Sequence, residues 1–124
     1  MYVTNFEKVG DFMEAFGQEV LDSPRYPGFS VAELRLELIE EEVQELKDGF
    51  ENRNMLAIAD ALTDILYVVY GAGHAFGIDL DDCFHEVHRS NMTKLGPDGR
   101  PLYREDGKVL KGPNYEEPNL GQFI

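Results

Sequence analysis

The sequence predicts an all-α fold: an antiparallel four-helix bundle with a small C-terminal β-hairpin and extended tail. Three observations carry it. Residues 54–76 are apolar on almost every side, with Met55, Ile58, Leu62, Ile65, Leu66 and Val69, the pattern of a helix buried in a bundle. Other stretches repeat apolar residues at helical spacing, each framed by start and stop signals. The link at residues 51–54 is short, so the helices it joins should lie antiparallel.

Thr4 and Glu7 have capping-box spacing, so a first helix starts there. Phe6, Val9, Phe12, Met13, Phe16 and Val20 carry it to about residue 21. These aromatics read as a core stripe, with Phe12 or Phe16 stacking on a flat ligand as the other reading. Pro24, Pro27 and Gly28 make residues 22–29 a loop. Ser30 and Glu33 form a second capping box, opening an acidic helix that stops near Asp48 with Gly49 in the left-handed cap. Asn54 caps the third helix, which Gly77 ends; Gly71 and Gly73 imply close packing or a ligand at the backbone. Asp79 caps a fourth helix from Leu80 to about Asn91, with Phe84 and Val87 on a thin apolar face. Residues 96–99 are a turn, and residues 102–105 and 108–111, joined by Asp106-Gly107, read as a hairpin. Two strands alone are marginal, so this segment must dock on the helices, a partner subunit or a ligand.

The acidic helix raises a problem of charge. Val31, Leu34 and Leu38 lead along one stripe into Glu41, Glu42 and Glu45, while Glu33, Glu37, Glu40 and Gln44 fall toward the other side. Acids on a core stripe need a cation or a basic partner, because an unpaired buried carboxylate is costly. Asp60 and Asp64, one turn apart and followed by Tyr67, put a second line of acids on the apolar helix. If the two lines face each other, the oxygen donors suit a hard cation, Mg²⁺ or Mn²⁺.

At 124 residues the chain reads as one domain, 1–124, helical over about 4–94 with the hairpin and tail over about 95–124. Its net charge of −13 argues against nucleic acid and anionic membranes as partners. Cys83 stands alone, and there is no signal-peptide pattern or long apolar run, so a cytoplasmic location is expected. Lys94, Arg100, Arg104, Lys108 and Lys111 make the C-terminal segment basic, so a polyanion bridged to metal would be held between the basic and acidic regions.

Glu42-Val43-Gln44-Glu45-Leu46 and Leu62-Thr63-Asp64-Ile65-Leu66 resemble the paired acidic signatures of the all-α nucleoside triphosphate pyrophosphohydrolases. That superfamily includes MazG, the dimeric dUTPases, the dCTP pyrophosphatases and phosphoribosyl-ATP pyrophosphohydrolase. The run from Glu86 to Leu95 resembles the substrate-binding end of the family's later helix. The resemblance implies a homodimer or homotetramer and Mg²⁺-dependent cleavage of a nucleoside triphosphate between its α- and β-phosphates. It carries Glu42, Glu45 and Asp64 over as metal ligands, and Asn91 and Lys94 as substrate contacts. Ala61 stands where the family has Glu, and Asp60 is the substitute ligand. His88 is near enough to Asn91 in sequence to join the substrate contacts, Tyr67 either bonds a carboxylate or stacks on the base, and Lys108 and Lys111 supply positive charge.

Such a reaction needs a base for the attacking water. Glu41 is the candidate, because a carboxylate among like charges has a raised pKa; Glu42 is the other. Two alternatives stand beside this reading: phosphoribosyl-ATP as the substrate, and a non-catalytic helical module whose acids pair with a basic partner.

Overall fold

Thr4 caps the first helix as its spacing demands. Its hydroxyl accepts from the Glu7 amide at 3.1 Å, and the Glu7 carboxylate accepts from the Thr4 amide at 3.2 Å. The structure, a computed structural model, describes residues 3–124. In chain order it contains α1 (Asn5–Ala15), α2 (Phe29–Glu51), α3 (Met55–Phe76), α4 (Leu80–Met92) and a short 3-10 turn, Leu120–Phe123. No β-strand occurs among the described residues, so the class is all-α. The chain divides into two compact units, residues 1–80 and 81–124.

In the first unit α2 and α3 run antiparallel, and glycines set how closely. At one end, a Cβ on Gly49 would lie 3.1 Å from the Ile58 side chain; at the other, one on Gly71 would lie 2.8 Å from the Arg35 guanidinium. α1 packs antiparallel on α3. The Phe6 ring stacks on His74 with centroids 3.8 Å apart, and the His74 ring nitrogen Nε2 bonds the Phe6 carbonyl at 2.7 Å.

Several boundaries differ from expectation. α1 stops at Ala15, short of residue 21, because Gly17 turns left-handed at φ +73. α2 starts at Phe29 with Gly28 as N-cap and no side-chain capping bond, so the Ser30 box is not used. It runs through Gly49 to Glu51: this glycine serves close packing inside the helix, and the left-handed φ falls on Arg53 at +49. Asn54 caps α3 as expected, accepting from the Ala57 amide at 3.1 Å, and Gly77 ends it at φ +69.

The largest difference is burial. α3 was expected to be covered on all sides, but only one side is: Ala61, Gly71, Gly73, His74 and Ala75 are buried, while Leu62 and Leu66 are 48% and 53% exposed. Leu34 and Leu36 on α2 are also exposed. The expectation of no long apolar run is corrected too. By length and composition alone α3 could cross a membrane, with a mean hydropathy of 1.5, although Asp60 and Asp64 lie within it.

The second unit ties the tail to α4. Arg89 grips Glu86 with two bonds of 2.8 Å and reaches Glu116 at 2.7 Å. Glu86 also accepts from the Asn119 amide at 2.7 Å, and Ser90 donates to the Glu116 carbonyl at 2.7 Å. The Arg89 guanidinium and then the Asn119 amide hold the Glu86 carboxyl down to about 2. The expected hairpin is not formed as two strands. One antiparallel bridge, Tyr103 to Val109, survives around the turn at Gly107, with Asp106 paired to Arg104. A pairing this short lacks the cross-strand side chains that would extend it.

Gly77→Ala should destabilise the first unit. A Cβ there would meet the Ser23 carbonyl oxygen at 2.0 Å, on top of left-handed strain of roughly 1–2 kcal/mol. Urea unfolding should show a loss of at least that size, and an unchanged midpoint would contradict the cap.

Candidate metal centre

The seam between α2 and α3 is where the acids meet. Arg35, Leu38, Glu42 and Leu46 recur at helical spacing and are buried or half-buried, so this face of α2 lies inside the fold. Glu42 therefore points into a packed seam, and the antiparallel register brings Asp64 to the same level. One carboxylate oxygen from each of Glu42, Glu45 and Asp64 lies within 4.8 Å of the others. Glu42 and Asp64 are half-buried, and Glu45 is exposed at the rim. Beside them, between the end of α2 and the start of α3, an open depression of about 260 Å³ is bordered by Glu45, Asp48, Asn52, Asn54 and Asp60.

Electrostatics reflect the crowding. Burial first, then a proton shared with Glu45 and the charges of Glu45, Asp64 and Asp60, push the Glu42 carboxyl up to about 7. Burial, followed by the charges of Asp60 and Glu45, raises Asp64 as well. Glu42 Oε2 is buried with no hydrogen-bond partner among the described residues. Two ionised carboxylates cannot bond each other, so a proton, a cation or another donor must satisfy that oxygen. An all-oxygen set with one orphaned buried member fits a hard divalent cation.

The other predicted residues are distributed as follows. Asp60 is exposed and outside the close trio, although its charge acts on Glu42 and Asp64. Ala61 is 1% exposed, so a longer side chain there would need the core to move. Glu41 is exposed and also outside the trio. Tyr67, 40% exposed, meets the Phe12 ring edge-on at 5.6 Å. His88, Asn91, Lys94, Lys108 and Lys111 belong to the second unit. There His88, Asn91 and Lys108 are exposed, the Lys94 carbonyl accepts from the Gly112 amide at 2.9 Å, and Lys111 Nζ stands 4.8 Å over the Tyr115 ring. Sequence reasoning passed over Arg35, a buried cation on the same face as Glu42; its spacing with Leu38 and Glu42 was the available signal.

In the metal-free protein, Glu42 and Asp64 bind protons more tightly folded than unfolded. The Glu42 contribution to stability is complete below its ordinary value of 4.5 and is lost as pH rises through about 7, and Asp64 acts in the same direction. With chelator present, thermal melting should therefore fall between pH 5 and pH 8, and Glu42→Gln should flatten that fall. An equally steep fall in the variant would remove Glu42 from the explanation.

Comparison with known proteins follows the same seam. Residues 9–91, which include α2, α3 and most of α1 and α4, match the family model for phosphoribosyl-ATP pyrophosphohydrolase. An uncharacterized protein of Acanthamoeba polyphaga mimivirus is 38% identical over 112 residues, covering 87% of this chain. The chain spans only 42% of that relative's length. A crystal structure from Exiguobacterium sp. 255-15, provisionally assigned as an NTP pyrophosphohydrolase, shares the fold with a TM-score of 0.50. It is 24% identical, and the match covers 95% of this chain and 90% of that one.

Proposed function

Because this chain belongs to the phosphoribosyl-ATP pyrophosphohydrolase family, within the MazG-like all-α superfamily, we propose that it is a metal-dependent nucleoside triphosphate pyrophosphohydrolase. It cleaves between the α- and β-phosphates, leaving a nucleoside monophosphate and pyrophosphate, as housekeeping of the nucleotide pool. The observation that carries this reading is the trio Glu42, Glu45 and Asp64 with the orphaned Glu42 Oε2.

Glu42, Glu45 and Asp64 would hold the ion, Mg²⁺ or in its place Mn²⁺, with Asp60 at the margin. When bound, it offsets the charge that grows on the phosphate oxygens. The chain's own groups supply the rest. Glu41 is the candidate base for the attacking water, with Glu42, through an oxygen that does not ligate, as the other. Tyr67 is the nucleoside contact of this reading. The substrate-binding role that it gives His88, Asn91 and Lys94 rests on the family resemblance of the run from Glu86 to Leu95, and that of Lys108 and Lys111 on their positive charge. Phosphoribosyl-ATP remains the second reading because it names the matching family.

The apolar outer face of α3 supports a homo-oligomer, dimer or tetramer. Leu62 and Leu66 are about half exposed, and a second copy would cover them. The aspartates make a lipid cover for α3 more costly than a protein one.

Pyrophosphate release should be measured on a panel of nucleoside triphosphates and phosphoribosyl-ATP, with Mg²⁺, Mn²⁺ or EDTA. Release should need the metal, and Glu42→Gln and Asp64→Asn should each lower it by about a hundredfold or more. Glu41→Gln should slow turnover while leaving metal affinity intact. Metal binding without turnover on any substrate would favour a non-catalytic helical module instead. By sedimentation, Leu62→Glu with Leu66→Glu should dissociate the oligomer; a wild-type monomer at micromolar concentration would refute the assembly.

A further inference from the structure

One cation of the first unit is buried with no ion pair among the described residues. Arg35 is 9% exposed, and its guanidinium lies over Gly71, where a Cβ would come within 2.8 Å of Nη1. Among the described residues its one hydrogen bond runs from Nη2 to the Gln18 side-chain oxygen at 3.3 Å. Nε is buried with no partner, and no carboxylate pairs with Arg35 among the described residues. Leaving a buried donor on a charged group unmet is costly, so such a group is normally matched by an acceptor.

The guanidinium borders a cavity of about 110 Å³ that also touches Phe12, Gln18, Tyr67 and Val68. Two aromatic rings line it together with the apolar side chains of Val9, Met13, Leu38 and Val68, and its charged and amide groups come from Arg35 and Gln18. A flat ring with apolar faces and a polar edge fits such a slot. Arg35 lies two helical turns from Glu42 on the same face of α2, roughly 10 Å along the axis. That is about the reach of a nucleotide from its base to its phosphates.

We propose that Arg35 and Gln18 read the nucleobase, selecting bases with two adjacent acceptors, guanine or cytosine, over adenine. This rests on the nucleotide reading of the neighbouring acids. The chemistry follows from the donor inventory. A guanidinium only donates, and Gln18, whose oxygen already accepts from Arg35, offers its two amide hydrogens. Arg35 and the Gln18 amide therefore present donors side by side. Guanine meets them with O6 and N7, and cytosine with O2 and N3. Adenine places its N6 amino donor beside N7 and N1, so one of each pair of contacts becomes donor against donor.

Calorimetry with dGMP, dCMP and dAMP tests this on the wild-type protein, Gln18→Glu and Arg35→Lys. Gln18 is exposed, so its variant should fold, and its new carboxylate should pair with Arg35. Wild type should bind dGMP or dCMP about tenfold or more tighter than dAMP. Gln18→Glu should melt higher yet lose that preference, and Arg35→Lys, without the planar fork, should lose it too. Equal binding of the three by wild type, no binding of any, or a preference unchanged in Gln18→Glu would each overturn the proposal; the last would leave Arg35 a structural group. Triphosphate turnover measured alongside separates the two readings. Turnover without base preference removes the pocket and keeps the reaction, whereas selective monophosphate binding without turnover does the reverse.

Discussion

Like charges crowded into one helical seam are the constraint on which the rest of this structure turns. Glu42, Glu45 and Asp64 stand within 4.8 Å through one oxygen each, and Asp60 adds its field. Nothing in unfolded chains holds carboxylates at that distance. It is imposed by the antiparallel register of α2 on α3, which the close approaches at Gly49 and Gly71 define at the two ends. Packing of small residues thus sets an electrostatic problem, like charges held close in a part-buried seam. The raised carboxyl of Glu42 and its orphaned oxygen are two signs of that one problem.

The fold class and the outline of the site were legible because they depend on local rules. The Thr4 box, the Asn54 cap and the Gly77 stop involve residues within a turn of one another, and periodicity carried the helices between them. Glu42, Glu45 and Asp64 were legible because acids on apolar faces stand out against their neighbours. Where reading failed, a distant contact decided. Gly49 looks like a helix stop, but Ile58 packs on it and α2 continues. The stripe was drawn through Val31 and Leu34, while the face turned inward passes through Arg35 and Glu42, so Glu41 came out exposed. Burial of α3 was overestimated because an apolar sequence does not say which chain covers it.

Charge in the second unit follows a different logic. Glu86 is gripped by Arg89 and the Asn119 amide, and its carboxyl is held low, where that of Glu42 is raised. One acid is answered by donors from its own unit; the other is left unanswered. The contrast separates a carboxylate that organises chain from one whose charge its own helices do not neutralise.

The two aspartates of α3 have a consequence beyond the site. A segment of this length and hydropathy is what a membrane-insertion machinery samples during synthesis, and an aspartate at its middle costs about 2.5–3.5 kcal/mol on insertion. Asp60 and Asp64 therefore weigh on how the nascent helix partitions as well as on the finished protein. Replacing them with alanine removes that weight. Recovery of such a variant in the membrane fraction would report misdirected synthesis, and asparagine, which stays polar in hydrocarbon, is the substitution that keeps the two effects apart.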